Sequence, residues 1–173
     1  MKKGKTVIAA AVATLLASSA LYAAANTDVA APKAGQGCIS LKTVAETEQE
    51  VVNEKGERVK RLAPAAKVVP GSEVVWTVTA SNVCAAPAGN VFIDNPVPEH
   101  MSYVSNSAMG PGAEIAFSLD GRRFAAPEQL RVRDADGTER AARADEYTHI
   151  RWSFRNAIAP GQMALARFRA TLK

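Results

Sequence analysis

The sequence is short of the residues that most often carry chemistry. Two histidines, His100 and His149, and two cysteines, Cys38 and Cys84, are all that 173 residues supply. Neither histidine sits in a metal-ligand spacing and the cysteines form no Cys-x-x-Cys, which removes the usual zinc and dithiol redox motifs. A histidine-based triad also needs a positioned nucleophile and acid, so neither histidine is assigned a catalytic role. Helical periodicity is scarce as well: past the first 25 residues, only residues 141–147 hold a short stripe. Residues 70–121 contain no lysine or arginine. With 47% apolar and 22% charged residues, the chain is neither wholly disordered nor a multi-span membrane protein.

What is present begins with an address. Lys2, Lys3 and Lys5 precede an apolar run from Val7 to Ala17, and Ala23-Ala24-Ala25 places small residues at a cleavage point. This is the layout of a secretory signal peptide over residues 1–25, cleaved after Ala25. A membrane-spanning helix needs roughly 20 apolar residues, and the run is far shorter. A lipoprotein anchor fits less well, because Gly35-Gln36-Gly37 before Cys38 is not the Leu-small-small triplet that precedes a lipidated cysteine. Residues 26–37 lack periodicity and read as a flexible lead. Residues 38–173 read as a single domain.

The leader also explains the basic character of the whole. The formal net charge is +4, and without the three leader lysines 18 basic and 17 acidic residues remain, a net charge of +1. That remainder is uneven: residues 70–121 carry −5 and residues 122–173 carry +5, almost all of the latter's cations being arginine. A near-neutral exported domain without aromatics among its cations does not read as a nucleic-acid binder. An even pair of cysteines in an oxidising compartment is most simply one disulfide, Cys38–Cys84. By loop entropy it stabilises the fold by roughly 4 kcal/mol.

From residue 38 onward the pattern is period two, in short runs broken by turn residues. Ile39-Ser40-Leu41-Lys42-Thr43-Val44 alternates, and Glu50-Val51-Val52 and Arg58-Val59-Lys60-Arg61-Leu62 flank Asn53-Glu54-Lys55-Gly56 as a polar hairpin. Pro70-Gly71 suits a type II turn and launches the strongest strand, with Val74, Trp76, Val78 and Ala80 on one face and Thr77, Thr79 and Ser81 on the other. Val91-Phe92-Ile93 reads as a buried strand broken at Asp94-Asn95-Pro96-Val97-Pro98. Further strands are expected over 101–105, 114–119, 131–133, 150–155 and 164–172. Residues 121–149 are expected to hold one extra hairpin and an irregular loop. The predicted fold is all-β: an immunoglobulin-like antiparallel β-sandwich of about 8–10 short strands, with a small β-barrel as the alternative.

One stretch resembles a known family. Val69-Pro70-Gly71-Ser72-Glu73-Val74-Val75-Trp76-Thr77-Val78, Ser81-Asn82 and the run from Ala88 to Ser107, which includes Asn90-Val91-Phe92-Ile93-Asp94 and Tyr103-Val104-Ser105, are similar to the bacterial extracellular domain of unknown function number eleven. That family shows a Pro-Gly-Asp strand start, an Asn-x-Gly turn, an Asn-Val-x-apolar-x-Asp strand and a Tyr-Val-x-Ser stretch. The likeness covers residues 68–107 closely and 150–172 as closing strands. Ser72 stands where the family has an acid, Trp76 where it has Tyr, and Asn82-Val83-Cys84 where it has Asn-x-Gly. The resemblance implies an immunoglobulin-type sandwich in a surface or envelope protein and carries no catalytic residues.

Three features are candidates for function. Asp134, Asp136 and Glu139 around Gly137 alternate carboxylates as a Ca²⁺ loop does, but the twelve-residue spacing and terminal bidentate Glu are missing, and Asp-Gly is a good turn by itself. Arg151 and Arg155 on one strand face, with Arg167 and Arg169 on another, form a cationic binding patch if those strands are adjacent. Otherwise they are solvated or paired with the acids of residues 70–121. Residues 121–149 are where a site would lie if the protein were an accessory domain, a small hydrolase or a ligand carrier. The expectation is an exported, non-enzymatic protein with a structural or interaction role, in adhesion or scaffolding, in the bacterial envelope or outside the cell. Its partner would be an envelope protein or an anionic surface component, with no cofactor and no transmembrane segment once the signal is removed.

Overall fold

The computed structural model describes residues 37–173; the expected signal peptide and all of the expected lead except Gly37 lie outside the described residues. Ten strands follow in order: β1 Ile39–Val52, β2 Arg58–Pro64, β3 Glu73–Asn82, β4 Phe92–Pro96, β5 Met101–Tyr103, β6 Ala113–Ser118, β7 Arg131–Arg133, β8 Glu139–Ala141, β9 His149–Phe154 and β10 Met163–Leu172. Two single 3₁₀ turns, Pro127–Gln129 and Ala144–Glu146, are the only helical elements among the described residues. The second falls inside the one short helical stripe of the sequence.

All strand pairs are antiparallel. One sheet runs β2-β1-β3-β10-β5, a second runs β4-β9-β6, and β7-β8 form a separate hairpin. The first two sheets pack face to face, and both stay open at their edges, so the molecule is a β-sandwich and not a closed barrel.

Alternation decides which faces meet. Val78 and Ala80 of β3 and Ala166, Phe168 and Ala170 of β10 point inward from the larger sheet. They meet Ile93 of β4, Phe117 of β6 and Ile150, Trp152 and Phe154 of β9. Small alanines opposite large rings let the layers interdigitate, and the Trp152 and Phe168 centroids lie 6.1 Å apart across the interface. Trp76 stacks on Phe168 from the neighbouring strand. At one end Tyr103, Phe117 and Tyr147 form a second aromatic cluster.

Two strands differ from the sequence expectation. Residues 39–44 and 50–52 belong to one continuous β1, because Ala45-Glu46-Thr47-Glu48-Gln49 contains no turn residue and β1 changes partner there. Ile39–Glu46 pairs with β3, and from Glu46 to Val52 the strand pairs with β2 on its other side. The β1–β2 hairpin therefore runs past the end of β3 as a ribbon with most of its residues exposed, which is why no apolar face marks it. Likewise β4 continues through Asp94-Asn95 to Pro96, since a proline at the end of an edge strand costs no ladder hydrogen bond.

The loop after β3 is held by a buried side chain and a covalent bond. Asn82, 1% exposed, donates to the carbonyls of Ala86 and Ile158 and accepts from the Cys84 N–H. Cys38 and Cys84 are disulfide-bonded, with Cα atoms 5.2 Å apart. The bond joins the residue before β1 to the loop after β3.

Candidate functional site

Each candidate side chain is placed by the register of its strand. In β9, Ile150, Trp152 and Phe154 face the core, so Arg151 lies on the outer face of the three-stranded sheet, and Arg155, one residue past the strand, joins it there beside Glu114. Asp94 is the Cα partner of Arg151 across the β4–β9 pair. Their side chains form a two-pronged ion pair, Nε to Oδ1 at 2.6 Å and Nη2 to Oδ2 at 2.7 Å. The guanidinium also lies 3.9 Å from the Phe124 ring centroid and 4.9 Å from that of Phe92. The Asp94 carboxylate holds the Arg151 pKa above its ordinary value. Arg155 reaches Glu114 of β6 at 3.3 Å, an exposed pair of little energetic weight.

Arg167 and Arg169 belong to β10, whose inward residues are Ala166, Phe168 and Ala170. They therefore lie on the outer face of the other sheet. Arg167 Nε donates to the Thr77 hydroxyl at 3.0 Å. Arg169 bonds Glu48 on β1 and Glu73 on β3, and the Glu48 carboxylate, itself lowered in pKa chiefly by Arg169, is its principal partner. The four arginines are thus split between opposite faces of the sandwich and do not form one patch. Three of them meet acids from residues 70–121, namely Glu73, Asp94 and Glu114, so part of the charge asymmetry of the sequence is an internal match.

The carboxylates of the 134–139 turn have separate tasks. Asp134 bonds Arg140. Asp136 accepts the Thr138 N–H, closing the β7–β8 turn around Gly137, and these hydrogen bonds lower its pKa. Glu139 pairs with Arg133 as Cα partners in the β7–β8 ladder. No group of three histidines, cysteines or carboxylates is placed to hold a metal ion among the described residues.

Residues 121–149 form the expected hairpin, anchored at both ends by the buried Leu130 and Tyr147. Burial pushes the Tyr147 phenol pKa up. Arg140 ties the hairpin to the second 3₁₀ turn through Glu146, at 2.6 and 2.8 Å. That hydrogen bonding, together with the Arg143 N–H, holds the Glu146 carboxyl at about 2.

At the edge of this segment Ser118 faces His149 across the β6–β9 pair. The arrangement is a turn lock. Ser118, fully buried, donates to Asp120 Oδ1 at 3.0 Å and accepts the Gly121 N–H at 2.9 Å. His149 Nδ1 lies 2.9 Å from the Thr148 hydroxyl, and its ring covers Gly121 so closely that a Cβ there would sit 2.7 Å from it. Asp120 accepts the N–H groups of Arg123 and Arg122, which together with Ser118 bring its pKa down to about 2. His100, in a left-handed conformation at the β4–β5 turn, lies 3.7 Å from Glu99.

Two surface hollows are worth naming. One, of about 350 Å³, lies beside Glu48, Glu73 and Arg169 where β1 outruns β3. The other, of about 410 Å³, lies between the start of β1 and Phe92, beside the disulfide, and exposes Leu41. No helix among the described residues is long and apolar enough to cross a membrane.

Compared with family models, curated proteins and solved structures, the chain matches none. What the sequence did not reveal is the partner of each arginine. Asp94 and Glu48 become legible as partners only once the register is known, because nothing in the order of residues says which strand lies beside β9 or β10.

Proposed function

We propose that the protein is an exported, non-enzymatic β-sandwich of immunoglobulin-like type that acts through its surface, as a structural or interaction module in the bacterial envelope or outside the cell. The observation that carries this reading is the state of its polar side chains. The core between the sheets is filled by side chains, and the groups able to do chemistry are spread over two faces and engaged in turns and ion pairs. What the surface offers instead are unpaired strand edges and exposed apolar residues such as Phe92 and Leu41. The disulfide supports an oxidising address, and the leader of residues 1–25 supports export.

The test is expression of the full chain in a bacterial host, with fractionation, intact mass and crosslinking in whole cells. The expected product begins near Asn26, carries an intact disulfide and crosslinks to a component of the envelope or its surroundings. Retention in the cytoplasm with free thiols, or a hydrolytic activity lost on Ser118→Ala, would overturn the reading.

A further inference from the structure

The projecting β1–β2 ribbon has an edge that nothing among the described residues covers. β2 is the outermost strand of the larger sheet, seven residues long, and only its β1 side is paired. In an antiparallel ladder, alternate residues of such a strand turn their N–H and C=O groups outward at regular spacing, which is a template for another extended chain. The charges on that template are of one sign: Arg58, Lys60 and Arg61 lie on β2, and no acid does.

The strand already accepts one acidic neighbour. β1 presents Glu46, Glu48 and Glu50 on a single face, and Lys60 reaches Glu48 at 3.3 Å while Arg58 reaches Glu50 at 3.7 Å. Those contacts hold the two cations loosely. Their side chains remain 75% and 77% exposed, and Glu48 is shared with Arg169. Arg61, on the opposite face, has no carboxylate within ion-pair distance among the described residues.

We propose that the free edge of β2 is a docking site for an extended, acidic segment of a partner protein, which adds as a strand and repeats on the outer side what β1 does on the inner. A second copy of this chain is disfavoured, because antiparallel pairing of β2 with itself brings cation against cation. A flexible polyanion would use the charges but not the ladder groups. The proposal rests on the interaction reading above and gives it a surface and a partner chemistry.

The probe is a peptide of about ten residues alternating Glu with Val, long enough to cover β2. Three controls accompany it: the same peptide N-methylated at alternate residues, one alternating Lys with Val, and polyphosphate. The full chain is expected to bind the Glu-Val peptide with an affinity that falls with salt, and to show about tenfold slower amide exchange in β2 with β3 and β10 unchanged. N-methylation should abolish both effects. The double variant Arg58→Glu, Lys60→Glu, both on the face that meets the peptide's charges, should lose the Glu-Val peptide and gain the Lys-Val peptide, a rescue that a merely unfolded arm would not show. Equal binding of the N-methylated peptide or of polyphosphate, concentration-dependent dimerisation through β2, or absence of protection in β2 would each overturn the proposal. Whole-cell crosslinking of the same variant separates it from the broader reading: crosslinks unchanged from wild type remove the β2 site and leave an interaction role elsewhere on the surface.

Discussion

Arg151 and Asp94 stand opposite each other on neighbouring strands and close a two-pronged ion pair on the outer face of the smaller sheet, with the guanidinium against Phe124 and Phe92. Both side chains are about one-third exposed, so water screens the pair, and its value lies as much in planar fit as in charge. Arg151→Lys keeps the charge but loses the fork and the ring stacking. It is expected to cost about 1 kcal/mol, nearly as much as Arg151→Ala. Chemical denaturation of the two variants checks this, and a lysine variant as stable as wild type would show that charge alone matters there.

Asn82 is the buried polar residue on which the loop after β3 and the 158 region depend. Its amide donates to two carbonyls, and its oxygen accepts one N–H. Asn82→Ala leaves the Cys84 N–H and the Ala86 carbonyl without this partner and the Ile158 carbonyl with the Ala88 N–H alone, and should destabilise by about 1–3 kcal/mol. Asn82→Asp should cost at least as much at neutral pH, because a carboxylate then faces two carbonyl oxygens. Thermal melts of the pair give the order, and a milder effect for Asp than for Ala would contradict the hydrogen-bond assignment.

Acid should loosen two turns before it reaches the core. Asp120 and Glu146 are held at about 2 by hydrogen bonds from backbone N–H groups and, for Glu146, first from Arg140. Both values lie below the ordinary carboxylate range, so their stabilisation is fully present above roughly pH 4–5 and is lost as the pH falls toward 2. NMR titration should show the shifts of residues 118–123 and 140–147 moving together in that window, while the β3 and β10 amides stay fixed. Asp120→Asn should remove the first of these transitions only.

The disulfide closes a separation of 46 residues between the start of β1 and the loop after β3. The loop-entropy model puts its contribution at roughly 4 kcal/mol. Beside it the ladder of β1 with β3 begins at the pair Ile39 and Asn82, and just beyond β3 the Val83 N–H bonds the Cys38 carbonyl. Reduction, or Cys38→Ser with Cys84→Ser, should therefore lower the melting temperature and release the amides of residues 39–45 first, leaving the β3–β10 pairing until global unfolding. Hydrogen exchange under reducing conditions reads the order directly.

Much of the fold was legible because a sandwich core imposes period two on each strand that contributes to it. Val74, Trp76, Val78 and Ala80 on β3, and Ile150, Trp152 and Phe154 on β9, announce both the strand and its buried face. The ribbon of β1 and β2 was legible only near its tip, as the polar hairpin of residues 50–52 and 58–62 around Asn53-Glu54-Lys55-Gly56, because strands solvated on both sides carry no apolar alternation to extend it. Its continuity through Glu46 to Gln49 depends on a change of partner that no local residue signals.

Charge shows the same division. The order of residues is enough to show that residues 70–121 are acidic and residues 122–173 basic, and that Arg151, Arg155, Arg167 and Arg169 alternate with apolar residues and so face outward. It takes the folded arrangement to show that β9 and β10 lie in different sheets, that the four arginines are consequently back to back, and that Asp94, Glu114, Glu73 and Glu48 answer them. The physical reason is that alternation is a property of one strand, written in consecutive residues, whereas pairing depends on which strands become neighbours once the chain has crossed between two sheets.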